Sequence, residues 1–285
     1  MLMLKAYAKI NLGLNILSKD QKDGYHYVDM VTLPIELHDR FEIEILPNSY
    51  DNIITCDDKS LPTDESNLVY KAFKILQEKV KIKNKIRIHI HKTIPVYAGL
   101  GGGSSNAAAV LIGLNKLLKL GLSNEELCEL GSKIGSDVPL CILNKPCRVT
   151  SKGENVETFT SKKQYKVLLV KPSVGLSTKD VYLKFDENPN GEVSDIEGLV
   201  EGLKKGDEKQ VFSSMGNALE EPAFKFAYEI KNIKEILLKY GIGNALMTGS
   251  GSCVYLITPM DAKLENIENK LKSLGYKTYL TKTLK

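Results

Sequence analysis

The stretch with the strongest chemical character is AGLGGGSSNAA, residues 98–108, in which four glycines and two serines run into an alanine series. Glycine loses more conformational freedom on folding than any other residue, so such a cluster at the start of a helical pattern marks a close approach to the main chain. Backbone N–H groups bared by glycine, with the positive end of a helix dipole behind them, suit an anion such as phosphate. The alternative is a tight turn of small residues where a helix packs on a sheet. Familiar phosphate loops do not fit. Walker A ends in Gly-Lys-Ser/Thr and no lysine is present, GxGxxG needs glycine where Ser104 stands, and the chain has neither DFG nor HRD. Gly103-Ser104-Ser105-Asn106-Ala107 approaches a nucleophile elbow, yet a triad on that scaffold needs a later histidine. His26, His38, His89 and His91 all precede residue 92.

Other residues carry chemistry by type and place. Lys9 and Asn11 share one side of an alternating segment, so they can point into one cleft or form a solvated face. Asp137, in GSDVP, stands where a helix N-cap precedes Pro139. Tyr25 and His26 follow Gly24 in a turn. His89 and His91 fall on one strand face, but spacing supplies no third metal ligand.

These groups need elements to hold them. Alternation over residues 6–16 predicts a half-buried strand, with further strands at 39–46, 85–91, 165–172, 252–258 and 276–282. Helices are predicted at 65–80, 104–120, 177–186, 194–204, 207–215, 220–240 and 260–273, and one starts at Ser123 with Glu126 completing a capping box. Residues 133–143 read as a break and 186–193 as a loop. Strands and helices are mixed throughout, which gives an α+β chain of two lobes.

The 285 residues suffice for one large domain or two ordinary ones, and 42% hydrophobic with 26% charged residues is a globular composition. A net charge of +4 is too diffuse to argue for nucleic acid. Five scattered cysteines without a CxxC pair point to reduced thiols. With no signal peptide and no long apolar run, a cytoplasmic protein is expected.

The glycine stretch resembles the second motif of the GHMP kinases, the family of galactokinase, homoserine kinase, mevalonate kinase and phosphomevalonate kinase. LKAYAKINLGLNI (4–16) resembles the first motif and MTGSGSCVYLI (247–257) the third. DGYHYVDMV (23–31) and IGSDVPLCI (134–142) extend the likeness in order along nearly the whole chain. The resemblance implies a two-lobed fold: an ATP-binding lobe over 1–158, like domain 2 of ribosomal protein S5, and a ferredoxin-like lobe over 159–285.

It also implies phosphoryl transfer from ATP with Mg²⁺ to a small-molecule alcohol carrying a cytidine diphosphate group, without nucleic-acid or membrane partners, by a monomer or homodimer. Lys9 then lies beside the acceptor hydroxyl and Asp137 is the general base. Asn11, Tyr25, His26 and Tyr182 bind the acceptor, with tyrosines on the cytosine faces and the histidine at its edge. Gly101, Gly102, Gly103, Ser104 and Ser105 wrap the triphosphate, Pro95, Ala98, Gly99 and Leu100 also bind the nucleotide, the segment 92–97 edges the site, and Asn67 and Leu68 line the adenine pocket. Either Ser104 or Ser105 approaches the metal. The chain departs from the pattern at Asn106, where resembling sequences usually carry aspartate. It also departs at NKPCRVT (144–150), which lacks a glycine-rich turn, and at Ala218 in NALE (217–220). Another alcohol acceptor, or a nucleotide-binding member without activity, are the rival readings.

Overall fold

The alternating segment belongs to a longer strand, β1 (Leu2–Lys19), and in the computed structural model both its faces are buried from Ala8 to Leu14. The half-buried strand read from the sequence is therefore corrected. A Cβ on Gly13 would lie 2.5 Å from the Ser194 hydroxyl and 2.6 Å from Leu199, so the face bearing Lys9 and Asn11 is roofed rather than solvated. The structure describes residues 1–46, 52–80, 82, 84–189 and 194–285, and the last four positions of the loop expected over 186–193 lie outside them.

The chain forms two compact units, each built from three segments. One comprises Met1–Ala8, Leu37–Ile94 and Gly101–Asn144. The end of β2 (His26–Leu46) pairs antiparallel with β4 (Lys85–His91), and β3 (Ile53–Cys56) pairs parallel with β4 on its other side. Between β3 and β4 lies α1 (Leu68–Val80), which buries Val69, Ala72, Phe73 and Leu76 at the i, i+3, i+4, i+7 spacing of one helical face.

That face packs against α2 (Gly102–Leu117), a central helix buried almost continuously from Ser105 to Leu111. Its alanines and Gly113 allow the close fit, since a Cβ on Gly113 would come within 2.6 Å of Leu4 and Ile43. α3 (Asn124–Ser132) begins with the expected capping box, Ser123 Oγ accepting the Glu126 amide at 3.2 Å and Glu126 Oε2 accepting the Ser123 amide at 2.9 Å. The expected break over 133–143 is corrected in its second half, where α4 (Val138–Leu143) forms on Val138, Leu140 and Ile142. Asn144 ends α4 in the left-handed conformation (φ 46°), the role a glycine usually takes and asparagine tolerates. The missing glycine turn at 144–150 is thus replaced locally.

The second unit comprises Lys9–Glu36, Pro95–Leu100 and Lys145–Lys285. The beginning of β2 pairs with β5 (Cys147–Ser151), which pairs with β6 (Asn155–Thr158). Then follow β7 (Lys166–Lys171), α5 (Thr178–Glu187), α6 (Ile196–Lys205), α7 (Glu208–Ser214) and β8 (Gly216–Asn217), which runs parallel to β1. The helix expected over 220–240 is two, α8 (Glu220–Phe226) and α9 (Tyr228–Leu238), with Ala227 extended between them. β9 (Asn244–Met247), β10 (Val254–Thr258), α10 (Glu265–Ser273) and β11 (Lys277–Lys282) complete the chain. The order β11-β7-β10-β9, antiparallel throughout, is that of a ferredoxin-like sheet.

Phe73 fills the contact between α1 and the core behind α2, so Phe73→Ala is expected to destabilise the protein by about 3–5 kcal/mol, read from the shift in the urea unfolding curve.

Candidate active site

Three stretches far apart in sequence meet in the second unit. Lys9 donates its backbone amide to Leu100 O at 3.0 Å and its ammonium to Asn11 Oδ1 at 2.8 Å. Asn11 Nδ2 donates in turn to Thr32 Oγ1 at 3.1 Å, and the Asn11 backbone carbonyl accepts the Tyr255 hydroxyl at 2.7 Å. Full burial pushes the Tyr255 phenol well above its ordinary pKa, so it stays a donor. Lys9 is itself buried, which makes its orientation a property of the fold rather than of solvent.

The segment 95–100 is laced to the turn 247–253. Thr248 Oγ1 donates to Gly99 O at 3.2 Å and accepts the backbone N–H of Asn11 at 3.2 Å, while the Cys253 backbone N–H donates to Ala98 O at 3.3 Å. Gly99 (φ 72°) has no room for a side chain, since a Cβ would lie 2.0 Å from Thr248 O. A Cβ on Gly249 (φ 55°) would meet Gly99 O at 3.1 Å and the Lys9 ammonium at 3.5 Å. These glycines clear a backbone cradle beside a fixed cation. Pro95 opens the segment, and Tyr97 takes a left-handed conformation with its ring exposed.

Sequence reasoning missed the residues that hold this turn. Asn217 Nδ2 donates to Met247 O and Gly249 O, both at 2.8 Å, and Glu220 Oε1 accepts the Met247 amide at 2.9 Å while Oε2 holds Lys234 at 2.6 Å. The signal was NALE itself: its first and last residues do the anchoring, and Ala218 only packs and donates its amide to Leu14 O. At the far end, Lys171 donates to Val174 O and to Ser252 Oγ, and burial lowers its pKa.

The acceptor-binding candidates divide. His26 lies 5.0 Å from the Tyr182 ring, tilted by 40°, and its Nε2 meets Asp186 Oδ1 at 2.6 Å. Tyr25, next along, is largely exposed. Asp186, unforeseen from sequence, also holds Lys19 at 2.5 Å. Burial opposes its ionisation, but Lys19 and His26 outweigh that and keep its carboxyl below the usual range.

In the first unit the glycine segment continues as Gly101 (φ 68°) and the opening turn of α2. Ser105 donates its amide to Gly101 O at 2.8 Å and is buried, whereas Ser104 is half-buried and Gly103 exposed. A Cβ on Gly103 would rest 3.4 Å from Leu68, so Leu68 borders this turn. Asn67 instead caps α1, its Oδ1 accepting the Val69 amide at 2.9 Å. Asp137 occupies the N-cap position of α4, but its carboxylate makes no cap hydrogen bond. His89 pairs with Thr55 and His91 with Glu42; among the described residues no cluster of three or more histidine, cysteine or acidic groups is arranged for a metal ion.

A ferredoxin-like sheet carrying one glycine turn, a buried strand lysine and a second glycine run that opens a helix define a class of nucleotide-dependent kinase. Residues 67–145 match the family model described as GHMP kinases N terminal domain, and residues 199–277 that described as GHMP kinases C terminal. The chain belongs to the GHMP kinase family and is an ATP-dependent small-molecule kinase by that membership.

Among its relatives, 4-diphosphocytidyl-2-C-methyl-D-erythritol kinase of Geobacillus sp. is 43% identical over 286 residues, covering 99% of this chain and 97% of the relative. The protein of the same name from Bacillus cytotoxicus is 40% identical over 285 residues, with the same coverage. A crystal structure of 4-(cytidine 5'-diphospho)-2C-methyl-D-erythritol kinase superposes with a TM-score of 0.82 at 27% identity, covering 99% of both chains. Homoserine kinase from Cytophaga hutchinsonii, at 18% identity and a TM-score of 0.72 over 99% of this chain and 95% of its own, shares the fold. No helix among the described residues is long and apolar enough to cross a membrane.

Gly99→Ala is expected to cost about 2 kcal/mol or more, because it adds left-handed strain to a backbone clash, with the loss visible in thermal unfolding before any ligand is added. Asp186 has a lowered pKa in the folded state, so its stabilising effect is present above the ordinary carboxylate value and fades as pH falls through the folded one. The stability gap between wild type and Asp186→Asn is therefore expected to be widest near neutrality and to close below about pH 4.

Proposed function

We propose that this chain transfers the γ-phosphoryl group of ATP to the 2-hydroxyl of 4-diphosphocytidyl-2-C-methyl-D-erythritol, a step of non-mevalonate isoprenoid precursor biosynthesis in the cytoplasm. The observation that carries this reading is the His26–Tyr182 ring pair in the same unit as the Lys9 cradle, in a chain that matches relatives of that name over nearly its full length. A tyrosine ring beside a histidine suits a pyrimidine ring, where stacking is typically worth about 1–3 kcal/mol per base. Homoserine and mevalonate give such a platform nothing to stack.

In this reading the functional division is an ATP-binding lobe over 1–158 and a C-terminal lobe over 159–285. Gly101 to Ser105 wrap the triphosphate, with Pro95, Ala98, Gly99 and Leu100 at the edge and Asn67 and Leu68 near the adenine. The start of α2 fits such a ligand because Gly103 is exposed in the first turn of a helix, where free amides suit an anion. Mg²⁺, bound with the triphosphate, would offset its charge, and the half-buried Ser104 is the better placed of the two serines to reach it. Asp137 takes the proton of the acceptor hydroxyl, whose oxygen then bonds to the γ-phosphorus as the bond to the β–γ bridging oxygen breaks and ADP leaves. Lys9 balances charge at the acceptor, and Asn11 keeps the ammonium aimed. Tyr25 contributes the ring at the mouth of the acceptor site.

A coupled ADP-release assay over a panel of alcohols tests the reading. Turnover is expected with the cytidyl substrate and not with homoserine or mevalonate, and activity confined to the latter two would sink it. Asp137→Ala is expected to lower kcat by a factor on the order of 10²–10⁴ while ATP affinity changes little.

A further inference from the structure

The connection leaving β4 and the start of α2 are joined through one carboxylate. Asp39, on β2, is fully buried. Its Oδ1 accepts the amides of Thr93 at 2.7 Å and Ile94 at 2.8 Å. Its Oδ2 accepts Asn106 Nδ2 at 2.7 Å and pairs with the ammonium of Lys92, a side chain only 7% exposed. Lys92 also donates to Asn106 Oδ1 at 3.4 Å. The cluster abuts the glycine segment, since a Cβ on Gly102 would lie 3.1 Å from Ile94 and 3.6 Å from the Lys92 ammonium. Asn106 stands about one turn further along the same helix.

A buried charge is tolerated when it is paired and its remaining lone pairs are used. Here one carboxylate, one ammonium and one amide satisfy one another. A carboxylate at position 106 would face Asp39 directly. An amide at position 39 would turn donors toward both Lys92 and Asn106.

We propose that Asp39 is a positioning residue for the phosphate-binding turn: through Lys92, the amides of 93 and 94, and Asn106, it sets the first turn of α2 in the arrangement that receives the triphosphate. Asn106 is neutral because Asp39 already supplies the cluster's negative charge. This rests on the ATP-binding reading above, and it assigns a role to two residues outside the cradle itself.

The swap D39N/N106D separates this role from simple packing. In the double variant the carboxylate now at position 106 accepts from Lys92 and from the amide now at position 39. The carbonyl oxygen of that amide still accepts the two backbone N–H groups. Binding of a non-hydrolysable ATP analogue with Mg²⁺, and of cytidine diphosphate, would be measured by calorimetry on folded protein. D39N and N106D are each expected to weaken the analogue about tenfold or more, leave cytidine diphosphate within about twofold, and be restored to within about threefold of wild type in the double variant. Single variants that bind the analogue normally, a double variant no better than the weaker single, or equal losses for both ligands would overturn the proposal. Should D39N fail to fold, N106D against the double decides by the same criteria. A wild-type chain that binds neither ligand would instead overturn the kinase reading on which the proposal stands.

Discussion

The second unit is organised around a backbone contact too close for a side chain. The residue at 99 must present bare backbone to Thr248, because a Cβ there would overlap the carbonyl oxygen. From that contact follow the left-handed conformations of Gly99 and Gly249 and the space beside Gly249 for the Lys9 ammonium. The surrounding hydrogen bonds hold the strain in place. Thr248 ties both turns to Asn11, Asn217 and Glu220 hold the turn from behind, and Tyr255 fastens β1 beneath it. Five of these anchors are polar and buried, so each is costly unless its partner is present. The geometry is specified as a set.

The first unit solves a related problem with charge. Lys92 and Asp39 lie at the exit of β4, where the chain must leave a sheet and soon begin a helix. An apolar contact could bury as much surface there but would not fix direction, whereas a carboxylate with two backbone donors and two side-chain donors does. The alanine-rich face of α2 then allows the helix to sit deep, with α1 and the sheet pressed on either side.

Much of this was legible in the sequence for definite physical reasons. The i, i+4 pattern of α1, the Ser123–Glu126 box of α3 and the alternation of β4 each encode a local structure that the tertiary context did not override. The glycine cluster announced a close approach to backbone. What the sequence hid was of two kinds. The burial of both faces of β1 depends on residues near 194–199, nearly two hundred positions away, and alternation reports only the strand's own residues. The break at Ala227 left no trace because Ala223, Ile230, Ile233 and Leu237 keep one helical phase across it. In the site, Lys9, Asn11 and the glycines could be named from their motifs, but Thr248, Asn217, Glu220 and Asp186 act on atoms far along the chain, and single-residue chemistry does not show such partners.

The segment arrangement of the two units has a consequence for how the gene can be cut. Each unit draws on three separate stretches, alternating along the chain, so the backbone passes from one to the other five times. Neither unit can be expressed as a continuous fragment, and a single nick anywhere leaves at least one unit assembled from two pieces. The glycine segment is one of these passages, changing unit between Leu100 and Gly101. A unit of this kind is not a module to be transplanted; it is inherited whole, together with the other.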